Sequence, residues 1–324
     1  MWQTIGHEWA VVLLQRTLDA GRVAHAYLFT GLANVGKSHL AREMAAALNC
    51  MGDAPPCGSC RACVKTAQGT HPDLFLVGPG NGSIKIDQIR DLQRQLALSP
   101  YEGRQRVAII ADFQTATVEA ANALLKTLEE PPPRVVLLLT ATEASLLLPT
   151  IVSRCQVVPL RGLPCEQIER ALIDRWHERP DLARLLSKLS GGRIGWAIAA
   201  TSDPSVLAQR QRRIEELQSL LRQGRTARIQ AAGRLGRRAE LASVIRLWQT
   251  WWRDIVLICS GCGELVANID HLDALHKQAG QCDLTNAEAA TRATEAALVQ
   301  IDQNVNARLV LEVLLLSWKR IKLI

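Results

Sequence analysis

Residues 31–38 read GLANVGKS, a G-x-x-x-x-G-K-S run in which each fixed position suits the holding of phosphate. Gly31 and Gly36 let the backbone turn sharply and aim N–H groups at anionic oxygens. Lys37 sets a point charge beside the β- and γ-phosphates, and Ser38 offers a hydroxyl to Mg²⁺. The run follows the apolar stretch AYLFT (26–30) and opens the helical pattern SHLAREMAAALNC. That strand–loop–helix context is what such a loop requires, and the helix adds its positive end. The expected ligand is ATP with Mg²⁺. Further on, RVAIIAD ends in Asp112, placed either to order Mg²⁺ through water or to cap the strand end. Phe113 follows, and a phenyl ring can neither accept a proton nor polarise water. The binding half of the site therefore reads as intact and the hydrolytic half as impaired.

A second cluster has different chemistry. Cys50, Cys57, Cys60 and Cys63 form C-x6-C-x2-C-x2-C, a spacing that suits tetrahedral Zn²⁺. The segment MGDAPPCGSCRAC is rich in Gly and Pro and holds too little apolar material to fold unaided. With four thiolates no coordination position stays open, so the expected zinc is structural. Cys259 and Cys262 make a lone CxxC, with His271, His276 and Cys282 downstream at no recognised metal spacing. Packing or idle thiols is the expectation there, as for Cys155 and Cys165.

The elements that must carry these residues follow from hydropathy. Strand candidates are AYLFT (26–30), DLFLV (73–77), RVAII (106–110), VVLLL (135–139) and QVVPL (156–160). Helical periodicity fills most of the gaps, which argues for an α/β fold with a mainly parallel sheet. Beyond residue 160 the strands stop and helical patterns run on, broken at Pro180, Gly191-Gly192, Pro204 and around Gly261 to Gly263. The expected division is 1–161 with an inserted zinc module at 50–63, a small helical domain at 162–205, and a larger helical domain at 206–324. With 324 residues, 48% of them hydrophobic and 21% charged, the chain has the material of two or three globular domains and is not wholly disordered. Its longest apolar runs, VVLLL (135–139) and LVLEVLLL (309–316), are too short for a bilayer. The start, MWQTIGHEWAVVLLQ, lacks the basic flank and cleavage site of a signal peptide. The expected setting is the reducing cytoplasm, where clustered thiols bind metal rather than form disulfides. A net charge of +7 permits nucleic-acid contact without demanding it. Nine arginines (210, 212, 213, 222, 225, 228, 234, 237, 238) are expected on a solvated helix face, with a DNA or partner contact as the alternative, and Trp248, Trp251 and Trp252 in a helical core.

Several longer runs resemble the bacterial clamp-loader AAA+ ATPases. They are HAYLFTG (25–31), THPDLFLV (70–77), ANALLKTLEEPPP (121–133) and VVLLLTATEASLLLPTIVSRCQ (135–156), the last with a Ser153-Arg154-Cys155 signature. The likeness is dense over the first 200 residues and thinner over LWQTWWRDIVLI (247–258) and NARLVLEVLLL (306–316). It is greatest to the delta-prime branch of DNA polymerase III. It implies an α/β AAA+ domain, a small helical lid and an all-α collar. It also implies that Arg154 is an arginine finger reaching into a neighbour's ATP site, Thr142 a sensor near the γ-phosphate, and Arg193 a second sensor. The implied partners are delta and gamma/tau subunits in a hetero-pentamer, which acts on a sliding clamp and primed DNA. Polymerase activity would belong to the holoenzyme, since this chain shows no polymerase carboxylate constellation. A gamma/tau-like ATPase is the nearest alternative, but such chains carry Asp-Glu where this one has Asp112-Phe113. A stand-alone phosphate-loop ATPase or kinase would need a substrate lid that is missing. A zinc-dependent DNA-binding module would need more basic residues than Arg61 and Lys65 near its cysteines.

Overall fold

In the computed structural model, which describes residues 2–80, 82–236, 240–303 and 305–319, the five apolar runs become five strands. In chain order the first half holds α1 (Glu8–Asp19), β1 (Ala26–Thr30), α2 (Lys37–Leu48), α3 (Arg61–Gln68), β2 (Leu74–Val77), α4 (Ile86–Leu96), β3 (Arg106–Ile110), α5 (Val118–Glu129), β4 (Val135–Ala141), α6 (Pro149–Val152) and β5 (Gln156–Pro159). Then come α7 (Cys165–Trp176), α8 (Pro180–Ser190), α9 (Ile194–Ser202), α10 (Pro204–Arg222), α11 (Arg225–Leu235), α12 (Leu241–Cys259), α13 (Leu272–Ala279), α14 (Leu284–Asp302) and α15 (Ala307–Ser317). Pro180 and Pro204 take the first helical position of α8 and α10, where a missing N–H costs nothing. Helix α1 and the short α3 among the cysteines were not anticipated.

The strands form one parallel sheet in the order β2-β3-β4-β1-β5. β1, β3 and β4 are buried throughout, because helices cover both faces and each strand is apolar on both sides. Alternate residues divide between two cores. Tyr27, Phe29, Val107, Ile109 and Leu138 pack with Ala10 and Leu14 of α1 and Leu40 and Met44 of α2. Ala26, Leu28, Ala108, Ile110 and Leu137 pack with Ile89 and Leu92 of α4 and Leu124 of α5. This is an α/β domain built on a parallel five-stranded sheet, followed by a helix-rich region.

The chain divides into two compact units, residues 1–171 with 192–196, and residues 172–191 with 197–324. The second unit has its own core, in which Trp248, Trp251 and Trp252 are buried among leucines of α10, α12 and α15. Of the nine arginines, Arg237 and Arg238 lie outside the described residues, and two others depart from the expected solvated face. Arg228 is buried and donates to the carbonyls of Leu220, Leu221, Leu315 and Trp318. It thereby satisfies the open C-terminal ends of α10 and α15. Arg210 is buried against Asn268 and Asp270. A charge pattern cannot distinguish an arginine facing water from one facing orphan carbonyls. No helix among the described residues is long and apolar enough to cross a membrane.

Candidate nucleotide and metal sites

The phosphate loop leaves the C-terminal end of β1, the strand at which the sheet order reverses between β4 and β5. Ligands of open α/β sheets bind outside the strand ends at such a reversal. Gly31 is compulsory on two counts. Its φ is +140°, and an added Cβ would lie 2.1 Å from the Leu160 carbonyl oxygen. Its N–H donates to the Ala141 and Thr142 carbonyls at 3.2 and 3.0 Å, so Thr142 is fixed at the root of the loop. Lys37, the first residue of α2, is buried and donates through Nζ to the carbonyls of Gly31 and Leu32 at 2.7 and 2.8 Å. Burial lowers its pKa, and the Asp112 charge acts in the opposite direction. Ser38 stands exposed one residue into the helix.

Asp112 is exposed at the end of β3 in a left-handed conformation, φ +50°. Its N–H donates to Thr140 Oγ1 at 3.0 Å. The turn drives Phe113 inward, where it is 1% exposed in the core shared with Ile89, Leu92 and Leu139. The position after Asp112 is thus filled by packing and presents no group to water. The segment carrying Arg193 reaches the loop through its backbone, as Gly195 N–H donates to the Asn34 carbonyl at 2.8 Å. Gly31, Gly36, Lys37, Ser38, Asp112, Thr142 and the Arg193 segment are therefore gathered at the C-terminal ends of the strands.

Arg154 is at the opposite, N-terminal end of the strands. It lies two residues before Gln156, which pairs with Tyr27 near the start of β1, whereas the phosphate loop follows Thr30 at that strand's far end. The guanidinium is partly exposed, bonds Glu129 at 2.8 Å and donates to the Thr150 carbonyl at 2.9 Å. It cannot serve its own phosphate loop from there.

The four cysteine sulfurs lie within 4.8 Å of one another, with Cys57 to Cys63 and Cys50 to Cys60 both at 4.0 Å. A tetrahedral zinc with bonds of about 2.3 Å needs sulfur separations of roughly 3.8 Å, so the donor set fits the ion. The backbone N–H groups of Gly52 and Cys57 point at Cys50 Sγ, and that of Cys60 at Cys57 Sγ, all at 3.3 to 3.4 Å. Such donors favour thiolates. The Cys57 thiol falls to about 6, chiefly through the Cys60 N–H and the backbone and hydroxyl of Ser59. Burial pushes the Cys63 thiol up to about 12. The sulfurs pack in a small cluster with Ala46 of α2. Cys259 and Cys282 pack against the helical core, and no further metal-capable group of three donors occurs among the described residues.

Three residues at these sites escaped the sequence reading. Thr140 orients Asp112 from inside β4. His7, buried beside the phosphate loop, bonds the Val35 carbonyl. Asp73 is fully buried just before β2 and accepts N–H bonds from Tyr101, Glu102 and Gly103. None carries a spacing signal, because the partner lies far off in the chain.

The family profile described as DNA polymerase III, delta subunit, matches residues 6–164. A delta' subunit of DNA polymerase III from Pseudomonas aeruginosa is 39% identical over 225 residues, 67% of each chain. The Bacillus subtilis delta' subunit is 40% identical over 179 residues, 55% of this chain and 54% of its own. The tau subunit of Escherichia coli is 36% identical over 204 residues, 61% of this chain and 32% of that one. The matched region thus spans about half of the Bacillus relative and a third of tau. On the identity shared across two thirds of both lengths, the chain belongs to the clamp-loader subunit family of DNA polymerase III, the family of delta-prime, gamma and tau.

Proposed function

We propose that this chain acts as a delta-prime-type subunit of a DNA polymerase III clamp loader, binding MgATP while hydrolysing it barely or not at all when alone. The observation that carries the reading is the complete loop at residues 31–38 beside a buried Phe113. Gly31, Gly36, Lys37 and Ser38 would hold the phosphates and Mg²⁺, with Asp112 ordering the ion, and Thr142 and Arg193 answering to the nucleotide. Bound MgATP supplies a phosphoryl group activated for transfer. For hydrolysis a side chain must orient the attacking water, and Phe113 has no atom able to do so. Relative to a gamma/tau-like ATPase or a stand-alone ATPase or kinase, the site is therefore suited to binding.

Arg154 would act on the ATP of an adjoining subunit, its planar cationic fork meeting charge that builds on the γ-phosphate. Its place at the sheet edge away from the chain's own loop supports that reading. The cysteine module would hold one structural Zn²⁺. Partners would be delta and gamma/tau subunits in a hetero-pentamer, touching the sliding clamp and primed DNA through the complex. The expected division into nucleotide domain, lid (162–205) and collar (206–324) belongs to this proposal. Gel filtration of the chain with delta and gamma/tau subunits tests it. A stoichiometric complex is expected. A monomer that turns over ATP rapidly by itself, and stops on Lys37→Ala, would overturn it.

A further inference from the structure

We infer that His7 is a positioning residue for the phosphate loop, pinning the Val35–Gly36 peptide so that the Gly36 N–H faces the phosphate site. The inference rests on the nucleotide-binding reading above and deepens it. His7 Nε2 lies 3.1 Å from the Val35 carbonyl oxygen, and the side chain is 2% exposed. A carbonyl oxygen can only accept, so Nε2 carries the proton. The ring also packs beside the loop, since a Cβ built on Gly36 would lie 3.9 Å from His7 Cδ2. The backbone of His7 is itself held, because its carbonyl accepts from Ala10 and Val11 N–H at the start of α1. Ala10 and Leu14 anchor that helix in the core.

The consequence follows from peptide geometry. In a trans peptide the C=O of one residue and the N–H of the next point in opposite directions. With the Val35 oxygen tied to His7, the Gly36 N–H is turned the other way, and it has no hydrogen-bond partner among the described residues. Gly36 sits at φ +116°. Rotating this one peptide plane by half a turn would bring φ to about −64°, an ordinary value, and glycine offers no Cβ to resist it. The flipped plane would aim the Val35 lone pairs at the phosphate oxygens, replacing an attraction by a repulsion. The glycine that lets the loop form also leaves it free to invert. His7 supplies the restraint that the loop's own residues lack.

The test compares His7→Phe, which keeps a ring but no donor, with His7→Gln, which keeps an N–H donor. MgATP and inorganic tripolyphosphate are titrated into the purified chain by calorimetry, with melting temperature followed in parallel. His7→Phe should weaken both ligands by the same factor, about 10- to 100-fold, as expected for loss of a bond to a charged acceptor. His7→Gln should restore most of the loss. If His7→Phe does not fold, His7→Met, which fills space flexibly without a donor, takes its place. Wild-type affinity in the donor-less variant, or a loss confined to MgATP with tripolyphosphate spared, overturns the inference alone. A wild-type chain that binds neither ligand, and is unchanged by Lys37→Ala, overturns the nucleotide reading itself.

Discussion

The molecule carries two glycine-containing loops within 32 positions of each other, and they keep their shape by different means. The phosphate loop is braced on every side by protein. Lys37 ties its first carbonyls, His7 its fifth residue, Gly195 its fourth, and the strand ends of β1 and β4 clamp its root. The cysteine loop has almost nothing of the kind. Its buried groups are chiefly Cys50 and Cys63 with Pro56 and Ala62, its sulfurs pack with Ala46 of α2, and N–H groups of Gly52, Cys57 and Cys60 donate to its sulfurs. A loop that must admit and release a ligand is preformed by the fold. A loop that would hold an ion permanently, as proposed for the four cysteines, could leave its folding energy to that ion.

The largest effect that would break this contrast is metal removal. Structural zinc contributes about 10–16 kcal/mol in small zinc modules. Chelation, or Cys63→Ala, should unfold residues 50–68 while β1, the phosphate loop and α2 persist. Metal analysis and amide exchange on the same sample check this. Retention of protection across 50–68 without metal would erase the difference between the loops.

Next in size is the brace that Asp73, just before β2, gives to the loop leading into β3. Burial pushes the Asp73 carboxyl up, but N–H bonds from Tyr101, Gly103 and Glu102 and the Arg106 charge outweigh it and hold the group below the usual range. Asp73→Asn should cost about 3 kcal/mol, measured by urea denaturation. The sign with pH is fixed. A depressed carboxyl contributes stability that is full above its unfolded value of about 3.9 and is lost as pH falls through the lower folded value. The variant should therefore lose less stability than wild type on acidification through that window.

At the phosphate loop, Lys37→Ala should weaken MgATP by about 2–3 kcal/mol, roughly 30- to 150-fold, while the ligand-free chain loses only the modest stability of the two carbonyls that Lys37 ties and stays folded. The preformed loop predicts that separation, and a collapse of the fold would show that Lys37 holds the structure together. Smallest is Arg154→Ala. The salt bridge to the half-exposed Glu129 contributes at most about 1 kcal/mol, so the chain should stay folded and bind MgATP normally. Turnover by the reconstituted complex should fall, but by less than the 10³–10⁵ typical of a lone site, because one interface of several is affected. Wild-type turnover would remove Arg154 from any work in trans.

All five strands were legible as short apolar runs, most fully β1, β3 and β4, which are covered on both faces, while β2 and β5 at the sheet edges keep exposed positions. GKS after a strand and CxxC repeats were legible for a related reason. Their chemistry depends on neighbours in the chain, so spacing alone encodes it. The clamp-loader runs at 121–133 and 135–156 carried the family in the same way.

What only the tertiary structure decided are the choices made across distance. Spacing could not tell that Phe113 turns into the core, that Arg228 faces four carbonyls rather than water, or that Arg154 and Lys37 lie at opposite ends of neighbouring strands. Nor could it show that His7, 28 residues from Val35, holds the loop's carbonyl. The physical reason is common to all of them. A buried polar or aromatic side chain is defined by the partner it finds, and the sheet order β2-β3-β4-β1-β5 brings those partners together from remote parts of the chain.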